Sequence, residues 1–418
     1  LSIVLISLWI VAGALRPQVA WPGARFEANR ARTLVQPGHG LSERRIAARS
    51  PKPARGPRVS PRPALAVTGL TMLSPAGDTL EQSCATIRAG LSAMSEHAYY
   101  GALPVDPEWE EEEPLRCAPV PTVDPYLDGP ERLLELALPP LRALVQRTRL
   151  RRRELASTAL LLSLPAPDAA VASWGLGSGF SDELCARAGL EGFASIAADQ
   201  SGHASMFAAL REASSLLRAE KVSRCLLLGV DSYLSEDRME MLDRGYRLKS
   251  DRAADGLIPG EAAVAMIVEL DDPRRPPELP PFALLAEPAL AMEPETLLGE
   301  KSSTGRGLGE ALRGALASRP PGEAQRWVLC DLNGESYRAF EWGVCVTRLP
   351  EQLSDLASLT HPAECVGDVG AATGGVLVAC AARAFARGYA PAPRALAFTS
   401  SEQGLRAALL VEPPRGTT

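Results

Sequence analysis

The chain has 418 residues, 46% of them hydrophobic and 22% charged, with a formal net charge of −6. That make-up suits a globular α/β protein with room for two ordinary domains or one large duplicated one, and it excludes a disordered or fibrous chain. Charge is uneven: residues 1–62 carry about eleven Lys and Arg against two acids, so the rest sits near −15, which argues against nucleic acid as a partner.

Residues 1–15 form an apolar run shorter than a comfortable membrane span, so no stable span is expected there. No basic segment precedes the run, so a non-structural leader is the reading adopted over a signal-peptide core. The chain opens on Leu, which leaves an alternative start, a fragment or a start placed too far upstream all open. Residues 16–62 are rich in Arg, Pro, Gly and Ser and read as a disordered basic linker.

A folded body is expected from residue 63. A strand at 64–68 leads into a Gly- and Pro-shaped turn at 69–78 and a helix at 79–93. Residues 102–131 hold many prolines and the acids Glu110–Glu113, read as a solvated surface loop rather than a metal site. A helix at 131–147 shows Leu133, Leu134, Leu138, Leu141 and Leu144 on one face, with a kink predicted at Pro139 and Pro140. Its basic end (Arg147, Arg149, Arg151, Arg152, Arg153) reads as a solvated terminus. The apolar strand 159–164 is patterned for burial on both faces, and a helix at 181–189 follows.

The stretch 198–231 is the most informative. A polar, Gly-containing turn opens a helix of about four turns, with Ala209, Leu210, Ala213, Leu216 and Leu217 at helical spacing, and an apolar strand at 225–229 closes it. The helix N-terminus would direct orphan N–H groups and partial positive charge into the turn. Residues 232–249 read as a loop with short helices, 263–270 as a strand and 271–281 as a connection. The plan then repeats, with a strand at 282–285, a helix at 309–318, a strand at 327–332, an Ala/Gly-rich helix at 370–387, and strands at 395–399 and 405–411.

Eight cysteines (Cys84, Cys117, Cys185, Cys225, Cys330, Cys345, Cys365, Cys380) are irregularly spaced, with no Cys-x-x-Cys, and only four histidines are present. This pattern argues against a zinc site and for reduced thiols in a cytoplasmic compartment.

Three stretches carry a family resemblance. They are the opening 64–78, the turn-helix-strand unit 198–231, and Asp255-Gly256-Leu257-Ile258-Pro259-Gly260-Glu261-Ala262. The chain over about 63–413 resembles the β-ketoacyl synthases of the thiolase superfamily. The resemblance implies a five-layer αβαβα architecture of two pseudo-symmetric halves, 63–271 and 282–413. Their Ala/Gly-rich helices would meet at one pocket, and no cofactor is implied. The family's last Gly in the Asp-Gly stretch is Ala262 here.

The family uses one Cys and two His. The thiolate attacks an acyl thioester, and the imidazoles stabilise the enolate or oxyanion. In the ungapped register His203 stands at the nucleophile position; a register three residues earlier puts Gln200 there. Asn333, in Asn333-Gly334-Glu335-Ser336, stands at the first His and Asp368, in Gly367-Asp368-Val369-Gly370, at the second. Asn can still donate to an oxyanion, whereas an ionised Asp opposes an enolate. The Gly-rich closing motif is replaced by Ala397-Phe398-Thr399-Ser400-Ser401-Glu402-Gln403-Gly404. His203 and Asp368 are therefore expected to form a buried charge-assisted pair.

The expected protein is a non-condensing ketosynthase-like partner or scaffold subunit, resembling chain-length factors. It would form a homo- or heterodimer with a ketosynthase-like subunit through a strand near 193–198, with an acyl carrier protein as a further partner. The alternatives are an acyltransferase or acyl hydrolase of altered chemistry, with Ser201 or Ser205 near His203, and a structural component of a bacterial secretion-type assembly.

Overall fold

The computed structural model describes residues 65–104, 113–276, 278–299, 301–319 and 324–415. The leader and linker expected at 1–62, and Glu110–Glu112 of the acidic run, lie outside the described residues. In the first half the chain runs through β1 (Leu65–Leu73), α1 (Leu80–Arg88), β2 (Ser95–Ala102), β3 (Glu113–Cys117), α2 (Gly129–Thr148), β4 (Thr158–Ser163), α3 (Ser178–Ala188) and β5 (Ser195–Asp199). It continues through α4 (Ser205–Arg218), β6 (Arg224–Ser232), α5 (Glu236–Arg244) and β7 (Glu261–Leu270). The second half holds β8 (Ala283–Leu285), β9 (Ala289–Met292), α6 (Arg306–Leu316), β10 (Trp327–Leu329), α7 (Ser336–Arg348) and β11 (Ser358–Thr360). It ends with α8 (Thr373–Ala386), β12 (Ala395–Ser400) and β13 (Leu405–Glu412).

The duplication is visible in the strand order. The first half reads β5-β4-β6-β7-β1 and the second β11-β10-β12-β13-β8. In both, the first three strands are parallel and the next two pairings antiparallel. A three-residue antiparallel ladder, Leu65–Val67 against Ala283–Leu285, joins the halves.

Side-chain alternation builds the layers. On β6, Cys225 and Leu227 enter a central core while Leu226 and Leu228 enter an outer one. On β13, Leu409 and Val411 face the central core, and Ala408 and Leu410 face a second outer core. The central core is filled by α4 and α8, with Met206 and Phe207 beside Val376 and Leu377. Gly229, Gly374 and Gly375 let these helices and β6 approach closely; a Cβ at Gly229 would lie 2.7 Å from the Met206 methyl. Helices α2 and α3 cover the first outer face, α6 and α7 the second. The two halves of one continuous sheet, joined through β1 and β8, alternate with three helical layers in the expected αβαβα stack.

Several sequence expectations are corrected. β1 runs on through residues 69–73, expected as a turn, because a bulge between Val67 and Gly69 resets its register against β7. The turn begins at Ser74 instead. Helix α1 stops at Arg88, well before residue 93, capped at its start by the Thr79 hydroxyl. Part of the expected loop 102–131 is the hairpin strand β3, paired with β2. Helix α2 is one continuous element through Pro139 and Pro140. Its apolar face is buried on β1, β6 and β7, and Thr71 Oγ1 donates to the Pro140 carbonyl at 2.8 Å. Helix α7 and strands β9 and β11 had no counterpart in the sequence reading.

Candidate functional site

The N-termini of α4 and α8 converge at the junction of the halves, each entered through a short 3-10 turn, Gly202–Ala204 and Gly370–Ala372. Neither helix carries a side-chain N-cap of its own. Their free donors are met from the opposite half: the Ala204 N–H donates to Ser401 Oγ at 2.9 Å, and the Ala371 N–H donates to Asp231 Oδ2 at 2.8 Å. Asp231 is the penultimate residue of β6 and Ser401 follows β12, so each half grips the other's helix from the end of the equivalent strand. Gly370 makes this fit possible. Its φ is +47°, and a Cβ there would lie 2.0 Å from Asp231 Oδ2.

His203, Asn333 and Asp368 meet at this junction. His203 Nε2 lies 2.8 Å from Asp368 Oδ1, with both side chains almost fully buried. Asn333 Nδ2 donates to Asp368 Oδ2 at 2.6 Å and to Glu335 Oε2 at 3.0 Å. The Gly370 N–H completes the shell around Asp368 at 2.9 Å. Asp368 thus has both oxygens occupied, and the Asn333 amide spends its donors on two carboxylates. An oxyanion would find no Asn333 donor to accept from, contrary to the sequence expectation.

Arg338, a residue that sequence reasoning missed, holds this cluster. It enters from the first turn of α7, 1% exposed, and its Nη1 donates to Asp331 Oδ2 at 2.6 Å and to the Ser400 carbonyl at 2.7 Å. Its Nη2 is 3.4 and 3.3 Å from the two His203 ring nitrogens, which places it over the ring rather than in line with a lone pair. No local pattern marked it, because α7 itself was unrecognised. Burial acts to raise the Asp368 pKa, but His203, Arg338 and the Gly370 N–H outweigh it and hold that carboxyl well below the usual range. At Asp331 burial wins over Arg338 and the carboxyl is pushed up.

The mouth is closed by ion pairs. Arg247 donates to Glu335 at 2.7 Å and to Glu402 at 2.6 Å, bridging the halves. Glu402 belongs to the segment 397–404, the end of β12 and the turn after it. Phe398 of the same segment turns away, stacked on Trp342 at 5.1 Å in the outer core. Below, Glu261 of the Asp-Gly stretch makes a bidentate pair with Arg132 at 2.7 and 2.9 Å and accepts from Ser232 Oγ and the Val120 N–H. It therefore braces the loop. Gly260 is needed there because a Cβ would meet the Val366 carbonyl at 2.2 Å.

Little space remains. Two cavities touch His203. One of about 10 Å³ is lined by Cys330, Asn333, Asp368 and Leu377, the other of about 50 Å³ by Asp168, Tyr233, Arg238 and Glu402. The first is about one water in size, and both fall far below the ~300–1,000 Å³ of small-molecule sites.

Gln200 stands apart, donating to the Leu176 carbonyl at 2.9 Å. Ser201 Oγ bonds to Asp199, and buried Ser205 Oγ has no hydrogen-bond partner among the described residues, so neither serine is coupled to His203. The cysteines are all buried and unpaired. Burial pushes Cys330, beside His203, well above the ordinary thiol range, and Cys365 up to about 11. Among the described residues no helix is long and apolar enough to cross a membrane.

No protein-family model and no curated protein sequence matches the chain. Solved structures do. The chain is similar to the ishigamide ketosynthase/chain length factor, with a TM-score of 0.60 and 20% identity over 84% of this chain and 99% of that one. It also resembles a ketosynthase from module 6 of the bacillaene synthase of Bacillus subtilis 168, with a TM-score of 0.67 and 13% identity over 84% and 72% of the two chains. A type II polyketide ketosynthase solved with its acyl-carrier protein and bound to the hexaketide gives a TM-score of 0.68 and 13% identity over 84% and 99%. The chain has the thiolase-like ketosynthase fold.

Proposed function

We propose that this protein is a ketosynthase-like partner subunit without condensing activity, of the kind represented among its structural neighbours by a chain length factor. The observation that carries the reading is the filled junction. His203, Asn333 and Asp368 stand for the Cys-His-His of a condensing enzyme, are bonded to one another, and leave cavities of only about 10 and 50 Å³. A histidine in place of the thiolate supplies no stable thioester carrier. A carboxylate in place of the second imidazole repels the enolate that decarboxylation generates. The positive ends of α4 and α8, which would otherwise polarise an acyl carbonyl, are spent on Ser401, Asp231 and Asp368.

The subunit acts through a partner. Among the described residues strand β5 ends its sheet and pairs only with β4, and it is exposed along Ser195–Ala198, with Ile196 41% exposed. An open edge with small apolar side chains is suited to strand-to-strand pairing with a second copy or with a ketosynthase-like subunit. An acyl carrier protein is the further partner consistent with this reading.

The test is acyl loading. Purified protein incubated with radiolabelled acyl-carrier thioesters retains no covalent label after denaturation. Stoichiometric acyl-enzyme would overturn the proposal, and loss of that label in His203→Ala would favour an active acyl-transfer enzyme instead.

A further inference from the structure

Open space lies away from the junction, where α1 packs on α8. Two adjoining clefts of about 630 and 400 Å³ share Cys84, Arg88 and Tyr389. One end is cationic. Arg88 in the last turn of α1 lies over the Tyr389 ring, its guanidinium carbon 4.0 Å from the centroid, and Arg383 and Arg387 project from successive turns of α8. The acids facing the cleft are Glu81, which Arg147 and Arg383 share at 3.4 and 3.8 Å, and Glu364, 3.5 Å from His361. Arg88 and Arg387 have no carboxylate partner among the described residues. The other end is apolar, lined by Ile87, Trp327, Leu359, Ala384 and Pro391.

Arginines at two helix C-termini offset the helix dipoles. That role alone requires neither a guanidinium seated on an aromatic ring nor an apolar trough leading from it. The volumes also match small-molecule sites. We propose that this cleft binds an anionic amphiphile, with a phosphate or carboxylate head on Arg88, Arg383 and Arg387 and a hydrocarbon tail along Ile87, Trp327 and Leu359. The site is independent of the junction, so its test does not bear on the partner-subunit reading.

The probe is monomeric dodecyl phosphate, titrated calorimetrically against the full chain, with inorganic phosphate and neutral dodecyl maltoside below its micellar concentration as controls. Dodecyl phosphate should bind at least tenfold more tightly than either control, and Arg88→Ala/Arg387→Ala should weaken it at least tenfold. Both arginines are exposed and free of ion pairs, so the variant should fold normally; an unchanged unfolding midpoint verifies this. A single conservative change, Arg88→Lys, retains part of the affinity. Equal binding of the neutral chain, or full affinity in the double variant, overturns the proposal. Co-sedimentation with phosphatidylglycerol vesicles that the double variant loses supports a lipid surface as the source of the head group. Monomer binding without co-sedimentation supports a free amphiphile.

Discussion

The two halves share one strand order but secure the junction differently. The first half places Asp231 at the C-terminal end of β6, a full charge that must be matched: Arg238 donates to it at 2.6 Å, spans to Asp168 at 3.0 Å and lies 3.8 Å over the Tyr233 ring. The second half uses the neutral hydroxyl of Ser401 for the equivalent grip and sets its charge one step aside, in Asp331 with Arg338. A charged grip is strong only while its counter-ion is present; a hydroxyl grip is weaker but carries no desolvated charge.

Removing the counter-ion is the sharpest way to break this comparison. Arg238→Met strands Asp231 in the interior and should cost about 3–5 kcal/mol in urea unfolding. Ser401→Ala removes only one neutral acceptor and should cost about 1 kcal/mol. Equal costs for the two variants would show that the halves are held in the same way.

The cluster between them comes next. Asp368→Asn should lose about 1.5–3 kcal/mol at neutral pH, as expected for a hydrogen-bonded charge. The pH dependence separates charge from shape. The folded Asp368 pKa lies below the unfolded value of about 3.9, so its contribution is present above that value and is lost as pH falls toward the folded pKa. Wild-type stability should therefore fall more steeply than that of Asp368→Asn between about pH 5 and pH 2. Parallel curves would remove the charge from the account. The smallest effect on the fold is expected at the β5 edge. Ile196→Lys should change monomer stability by less than about 0.5 kcal/mol yet abolish a dimer seen by analytical ultracentrifugation. A dimer that survives this change does not use β5.

Much of the layering was legible because it rests on local period. Runs apolar on both faces mark β4, β6 and β7, and the 3.6-residue stripe marks α4. The meeting of His203, Asn333 and Asp368 was legible through motif order alone, since each sits at a turn whose wording survives around an altered residue. Arg338 and Arg247 were not. A buried arginine looks like any surface arginine until its carboxylate partners, distant in sequence, are placed beside it.

From the residue string alone came the repeated βα plan and the central pair of small-residue helices, because propensity and periodicity act over a few neighbouring positions. Whether the junction holds a tunnel or a plug was decided only when the halves closed. The plug is made by side chains from opposite halves: His203 of the first meets Asp368 of the second, and Arg247 of the first meets Glu335 and Glu402 of the second, pairs that exist only once the halves are together.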